Sequence, residues 1–408
     1  MQPTLSKGMQ IERNTRIAKI RIAIPSSLVF IAEMQPATFI LPQNTRISSI
    51  LYKFVPHNKT INKKTTYTMA LQPYKTDVSV LILFFNRPDH LQQVFDEVRK
   101  ARPSRLFLYQ DGPRGERDMA GIEACRRVVA TIDWECEVHR KYQERNFGCD
   151  PSEYISQKWA FSIADKCIVL EDDDVPSQAF FTFCKEMLDR YEHDERIGMI
   201  AGFNPEEQLD GYPADYLFTS VFSIWGWASW RRVVDKWDAT YAFLDQPDTM
   251  RQLNALMRQR RYCRDTLRAC YDHRASGKEY YETIFWATMV LNSYLAIMPV
   301  RNLINNLGAT DGSTHYTGSL QTMPRRLRRL FTMKRFELDT QLRHPQYVME
   351  DVDFKERVYR TYAYGHPCIK ACRSLEELWL NLKYGNYRHI MRSIANRAAK
   401  IMGKDRHW

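Results

Sequence analysis

From Asp77 onward the chain alternates between short continuous apolar runs and longer stretches with helical periodicity. Residues 78–85 (Val-Ser-Val-Leu-Ile-Leu-Phe-Phe) are the kind of run a strand covered on both faces requires, and they stop at Asn86-Arg87-Pro88. Leu91, Val94, Phe95 and Val98 then recur at i, i+3, i+4 and i+7, which predicts a helix. The two patterns repeat. A strand at 105–109 runs into the turn Gln110-Asp111-Gly112-Pro113-Arg114, followed by a helix over 116–132. A strand at 136–140 leads to Arg145-Asn146-Phe147-Gly148, then a helix over 152–164 and a fourth strand, Cys167-Ile168-Val169-Leu170. Such alternation implies a parallel sheet with helical crossovers. It would gather Asn86, Arg87, Asp111, Asn146, Gly148 and Glu171-Asp172-Asp173-Asp174 on one rim. Each polar strand exit taken singly reads as a turn; four together suggest a site.

The second half continues less regularly. Residues 197–204 read as another strand with a polar exit, and Trp225-Gly226-Trp227 sits inside an aromatic run that ends at Trp230. Residues 247–275, rich in Arg, predict an amphipathic helix, and Tyr281-Glu282-Thr283-Ile284-Phe285-Trp286 an apolar one carrying a single acid. A strand at 295–299 leads to a loop of Asn, Gly, Ser and Thr that ends at His315. Beyond it, Arg325-Arg326-Leu327-Arg328-Arg329 reads as a charged linker, and Ser374-Leu375-Glu376-Glu377 has the spacing of a helix-starting capping box. After Gly385, Tyr387, Ile390, Met391, Ile394, Ala398 and Ile401 form an apolar stripe at helical spacing.

Charge changes the picture by its distribution. The net charge is +11, yet residues 1–68 hold ten Lys/Arg against two acids and residues 324–408 nineteen against nine, which leaves −7 for 69–323. The middle is therefore an ordinary enzyme-like domain, divisible at 175/176, between a basic N-terminal extension and a basic helical C-terminal region. The extension lacks Trp and periodicity, and is expected to be disordered or to precede a true start at Met69. Nucleic acid is a poor partner, because no basic face interleaved with aromatics accompanies the acids. Nine scattered cysteines argue for reduced thiols in a cytoplasmic protein. No apolar run reaches the ~18–20 residues of a membrane span.

Four consecutive carboxylates at a strand exit need counter-charge or a metal if they are buried; exposed, they are a solvated helix start. Buried, they suit a hard cation, Mn²⁺ or Mg²⁺, which binds carboxylates together with phosphate oxygens. No glycine-rich phosphate loop suggests a dinucleotide enzyme or an NTPase. The paired indoles of Trp225 and Trp227 read either as core or as a platform for sugar rings, with Gly226 admitting the ligand. Glu282, in apolar surroundings, is a candidate general base, with Glu279 and Asp311 behind it.

Phe85-Asn86-Arg87-Pro88, Tyr109-Gln110-Asp111-Gly112-Pro113-Arg114, Asn146-Phe147-Gly148 and Val169-Leu170-Glu171-Asp172-Asp173 together resemble the nucleotide-sugar half of GT-A-fold glycosyltransferases. The likeness is to inverting N-acetylglucosaminyltransferases with a Glu-Asp-Asp motif and to bacterial surface-polysaccharide transferases, over roughly residues 77–320. The resemblance implies a Rossmann-like, mixed but mostly parallel α/β sheet with helices on both faces. It implies a metal-dependent, inverting transfer from a nucleoside diphosphate sugar, as a UDP-sugar, to a glycan or lipid-linked acceptor. By position, Asp173 would bind the ion, Asp172 and Glu171 would lie near ribose and base, and Asn86, Arg87 and Asp111 at the uridine. Arg145 and Asn146 would lie near the diphosphate, and Trp225 and Trp227 at the acceptor. Glu282 departs from the family's usual Asp. His315 would complete the metal shell or contact the diphosphate, although a lone His is as readily structural. Asp174 leaves the motif's register open by one. Two other functions stay open: a haloacid-dehalogenase-like phosphatase, suggested by Asp172-x-Asp174, and a non-catalytic carbohydrate-binding protein. The basic C-terminal helix either docks on its own domain or lies on the inner face of the cytoplasmic membrane.

Overall fold

The computed structural model describes residues 71–257, 259–309, 320–339 and 341–401, and only the backbone of 396–401. The N-terminal extension with Met69, and the candidates Asp311 and His315, lie outside the described residues. The elements run β1 (Thr76–Phe84), α1 (Pro88–Ala101), β2 (Pro103–Gln110), α2 (Glu116–Val129), β3 (Glu137–Tyr142), α3 (Cys149–Ile163) and β4 (Lys166–Glu171). A short β5 (Asp174–Pro176), α4 (Gln178–Arg190), β6 (Ile197–Ala201), β7 (Tyr216–Thr219), β8 (Trp227–Trp230) and α5 (Arg231–Val234) follow. Then come α6 (Pro247–Leu256), α7 (Arg260–Ser276), α8 (Tyr281–Leu291), β9 (Leu295–Pro299) and β10 (Ile304–Asn306). The chain closes with α9 (Arg325–Leu330), α10 (Val352–Tyr362), α11 (Pro367–Lys383) and α12 (Tyr387–Ile401).

Eight strands form one sheet in the order β3-β2-β1-β4-β8-β6-β9-β7. The first four are mutually parallel, as their crossover helices dictate. β8 then inserts antiparallel to both β4 and β6, and β7 closes the edge antiparallel to β9. The fold is a mixed α/β, Rossmann-like sheet with helices on both faces: α1 packs with α2 and α4, while α3 packs with α5 and α8. Residues 80–83 and 167–170 are buried throughout, so the continuous apolar runs of β1 and β4 are answered by cover on both sides.

This topology has one consequence for ligands. β1 pairs with β2 on one side and β4 on the other, so the chain direction of travel reverses between β1 and β4. Open α/β sheets leave a crevice at such a reversal, outside the carboxyl ends of the strands. The exits of β1 and β4 carry Asn86-Arg87 and Glu171–Asp174, respectively.

The acidic exit is held in place by a second, two-stranded ladder. β5 pairs antiparallel with β10, matching Asp174 to Asn306. Both Asp174 oxygens accept from internal donors, Oδ2 from the Gly226 amide at 2.9 Å and Oδ1 from Asn306 Nδ2 at 3.1 Å. Gly226 itself has φ +61°, and a Cβ there would lie 2.5 Å from Ile304 Cδ1. Its glycine thus admits β10 rather than a ligand, which corrects the expectation drawn from the Trp-Gly-Trp run.

Three other local expectations are corrected. Residues 325–329 are not a linker but most of α9, because Leu327 and Leu330, three apart, turn one side of the basic run onto the core. Ser374 starts no helix. Pro367 opens α11 two turns earlier, and Glu376 instead accepts the Arg325 amide at 2.8 Å. The single helix expected over 247–275 is two, α6 and α7. In the C-terminal region, Phe354 and Val358 of α10 pack on Ala201, Leu217 and Met298.

Gly226→Ala places a side chain both in the left-handed region and against Ile304. It is expected to lower unfolding free energy by about 2–4 kcal/mol, the sum of backbone strain and overpacking. Urea denaturation checks this, and a loss below ~1 kcal/mol would show that β10 is not tightly seated on β8.

Candidate active site

The acids of this exit meet different partners, although Asp172 and Asp173, in the turn between β4 and β5, share one. Asp172 receives a two-pronged contact from the Arg87 guanidinium, with Nε 3.4 Å from Oδ2 and Nη2 on Oδ1. Arg87 Nη1 also lies 3.0 Å from Asp173 Oδ2. One guanidinium from the end of β1 therefore bridges two buried carboxylates at the end of β4, across the crevice. Asp172 and Asp173 are 3% and 6% exposed, so the solvated-helix-start reading does not apply. Burial raises the Asp172 carboxyl to about 6, against the pull of Arg87 and with the push of Asp173. Burial would lower the guanidinium, but the two aspartates hold it above its ordinary value.

The segment after β10 closes on Asp173. Its backbone carbonyl accepts the Leu307 amide at 2.8 Å, and a Cβ on Gly308 would lie 2.8 Å from Asp173 Oδ2. Asp174 faces inward to Gly226 and Asn306, and burial followed by Asp173 pushes it up to about 8. Asn306 Nδ2, which donates to Asp174, also lies 3.3 Å from Asp173 Oδ1, so β10 holds both acids.

Glu171 turns the other way. Its carboxylate lies 3.5 Å from the Tyr281 hydroxyl of α8, and burial and then Glu153 raise it well above the usual carboxylate range. Beside it stands an acidic group that the sequence reading missed. Asp150 and Glu153, from the first turns of α3, meet Glu282, from the first turn of α8, with one oxygen of each within 4.8 Å of the others. Both helices present their N-termini, where partial positive charge favours carboxylates. Glu153 is fully buried with Oε2 unpartnered, and burial followed by Glu282 pushes it well up. The signal available was the i, i+3 pair Asp150 and Glu153 just after the strand exit at Asn146. His90, half-buried in the first turn of α1, was also missed; burial and then Arg87 lower its pKa.

Several predicted contacts serve the scaffold. Asp111 accepts the amides of Gly112 (2.9 Å), Phe147 (2.9 Å) and Gly148 (3.0 Å) and the Asn146 side chain (2.8 Å). Asp111 and Asn146 thus lock the β2 exit to the β3 exit. Asn86 donates to Asp118 at 2.8 Å, and Arg114, then Asn86, help hold Asp118 at about 2. Arg145 is exposed, stacked 4.7 Å from the Phe147 ring. Trp227 is fully buried among Phe161, Trp237 and Phe285, so it is core and cannot serve as a sugar platform as it stands. Trp225 is half-buried between Phe203 and Phe331. Glu279 is half-buried, just ahead of α8.

The donor set fits a hard divalent cation. Asp172 and Asp173 already share one cation, the Arg87 guanidinium, and Asp150, Glu153 and Glu282 offer a second group of oxygens at ligand separations. No family model and no curated protein matches the chain. Among solved structures it is similar to the inositol-1-phosphate CTP transferase from T. maritima, with 11% identity over 39% of this chain and 73% of that one. The TM-score is 0.25, and the likeness carries no argument about chemistry.

Replacing Arg87 by Ala leaves two buried aspartates without their shared cation. The folded Asp172 pKa already exceeds its ordinary 3.8, so its contribution to stability is present below about pH 4 and lost as pH rises through 6. Without Arg87 that pKa rises further and the loss extends to higher pH. The destabilisation relative to wild type is expected to be small at pH 4.5 and to reach about 2–4 kcal/mol at pH 8. Denaturant titrations at the two pH values check it, and a pH-independent difference would contradict the pairing.

Proposed function

We propose that the chain is a metal-dependent, inverting glycosyltransferase of the GT-A kind. It moves a sugar from a nucleoside diphosphate, UDP on the resemblance, to a glycan or lipid-linked acceptor of surface-polysaccharide synthesis. The observation that supports this reading is the meeting of Arg87 with Asp172 and Asp173 at the reversal point of the sheet. That is where a nucleotide's phosphates sit in open α/β folds, and the groups present are those a diphosphate needs.

In this reading Asp173, with Asp172 beside it, holds Mn²⁺ or Mg²⁺, which supplies positive charge against the diphosphate as it departs. Arg87 exchanges its carboxylate partners for phosphate oxygens, which match its planar fork equally well. Glu282 removes the acceptor hydroxyl proton while that oxygen attacks the anomeric carbon, and the bond to the diphosphate breaks on the opposite side. Burial and then Glu282 push the Glu153 carboxyl well up, which eases the crowding of charge in the trio. The inverting outcome rests on the resemblance. A dehalogenase-like phosphatase is disfavoured, because the second aspartate of its pair would be Asp174, whose oxygens serve Gly226 and Asn306.

Asp173→Ala is expected to cut sugar transfer by at least about 10²–10³-fold and to abolish the Mn²⁺-dependent thermal shift given by UDP. Glu282→Gln is expected to lower kcat by about 10²–10⁴-fold while leaving that shift intact. UDP stabilisation without Mn²⁺ dependence in the wild type would sink the metal site. Glycan binding with no nucleotide response would favour a binding protein.

A further inference from the structure

Eight exposed large apolar side chains gather far along the chain from the acidic crevice. On α11, Leu375, Leu378, Trp379 and Leu382 fall at i, i+3, i+4 and i+7, one helix face, and are 43–66% exposed. On α12, Tyr387, Met391 and Ile394 repeat the spacing and are 56–66% exposed. Tyr384, in the turn between, is exposed as well. The helices pack on each other, with Asn386 donating to Asn381 at 2.9 Å and His389 3.4 Å from Glu377, so both stripes belong to one hairpin. The opposite side of α11 is what holds it to the body. Leu380 and Asn381 are buried, and Arg373 donates to the Tyr362 carbonyl at 3.1 Å. Eight large apolar side chains on one two-helix unit exceed what a monomer ordinarily leaves to water.

The charges on this hairpin are predominantly basic. Lys383, Arg388 and Arg392 are exposed and Lys370 half-exposed. The two acids of the hairpin's described side chains are engaged elsewhere, Glu376 with the Arg325 amide and Glu377 with His389. Lys383 lies 5.1 Å from the Trp379 ring and 5.4 Å from the Tyr384 ring, a cation seated beside two amphipathic aromatics. Trp and Tyr with Lys and Arg around an aliphatic stripe are the composition of a helix lying at a bilayer interface. No described helix is long and apolar enough to cross a membrane.

We infer that the α11–α12 hairpin docks on an anionic lipid surface, its apolar stripe at the acyl boundary and its basic residues against acidic headgroups. This assignment is independent of the reaction proposed above, and its test uses no activity. Full-length protein is floated with phosphatidylcholine vesicles that contain either no anionic lipid or about one-third phosphatidylglycerol. Binding is expected only to the anionic vesicles and to weaken as salt is raised, because each basic residue near such a surface contributes roughly fivefold. The double variant Arg388→Glu/Arg392→Glu is expected to bind at least about tenfold more weakly. Trp379→Ala/Met391→Ala should weaken binding at every salt concentration. These positions are exposed, so melting curves of all variants are expected to match wild type; the wild-type lipid comparison stands even if one does not fold. Absence of wild-type binding to the anionic vesicles, equal binding to neutral ones, or charge-reversed protein that binds unchanged overturns the inference. So does light scattering that shows a dimer which Trp379→Ala/Met391→Ala dissociates, since the face would then cover a second copy.

Discussion

Holding four consecutive carboxylates, three of them buried, at the end of one strand is the constraint around which this molecule is arranged. Each acid meets it differently. Asp174 is surrounded by N–H donors, Asp172 and Asp173 share a guanidinium, and Glu171 turns to a tyrosine hydroxyl and a neighbouring acid. The first solution needs a glycine with positive φ at 226 and a strand brought back from residue 304. The second needs β1 and β4 to be neighbours, so that Arg87 can reach across. The sheet order and the β5–β10 ladder therefore place counter-groups as well as building a core.

The two directions taken by the acids divide the chemistry. Asp172, Asp173, Arg87 and His90 gather where the exits of β1 and β4 meet. Glu171 joins Asp150, Glu153, Glu282 and Tyr281 between α3 and α8, as their mutual electrostatic pushes indicate. Two helix N-termini converge on that second group, which favours negative charge there, while its burial favours protons or a cation. A reaction that separates charge and moves a proton has a place for each in such an arrangement.

Most of the first half was legible in the sequence, because strand and helix periods there are local and strong. The rim followed from parallel order alone. What the chain could not reveal was nonlocal. That β8 would insert antiparallel between β4 and β6 depends on which strand accepts Trp227 and Ala228 as neighbours, and no spacing encodes that. Asp111 and Asn146 have the residue types of ligand contacts, yet turn amides saturate Asp111; composition alone does not separate the two uses. Asp150 and Glu153 read as the polar side of an ordinary helix because the α8 that buries them arrives about 130 residues later. Ser374 had the right spacing for a cap and lost to Pro367, which fixed the helix start earlier.

On the function proposed above, Arg87 is an exchangeable cation rather than a permanent structural bridge. Its side chain is 27% exposed, against 4% and 9% for the side chains of Asp172 and Asp173. Two carboxylates facing one guanidinium carry an excess negative charge whenever both are ionised, and burial, then the push of Asp173, raises the Asp172 pKa against the pull of Arg87. A buried excess charge is costly, and a divalent ion removes it more completely than a proton can near neutral pH. Were such an ion to neutralise the aspartates, the guanidinium would lose its partners and could take another anion, phosphate being one whose geometry suits its planar fork.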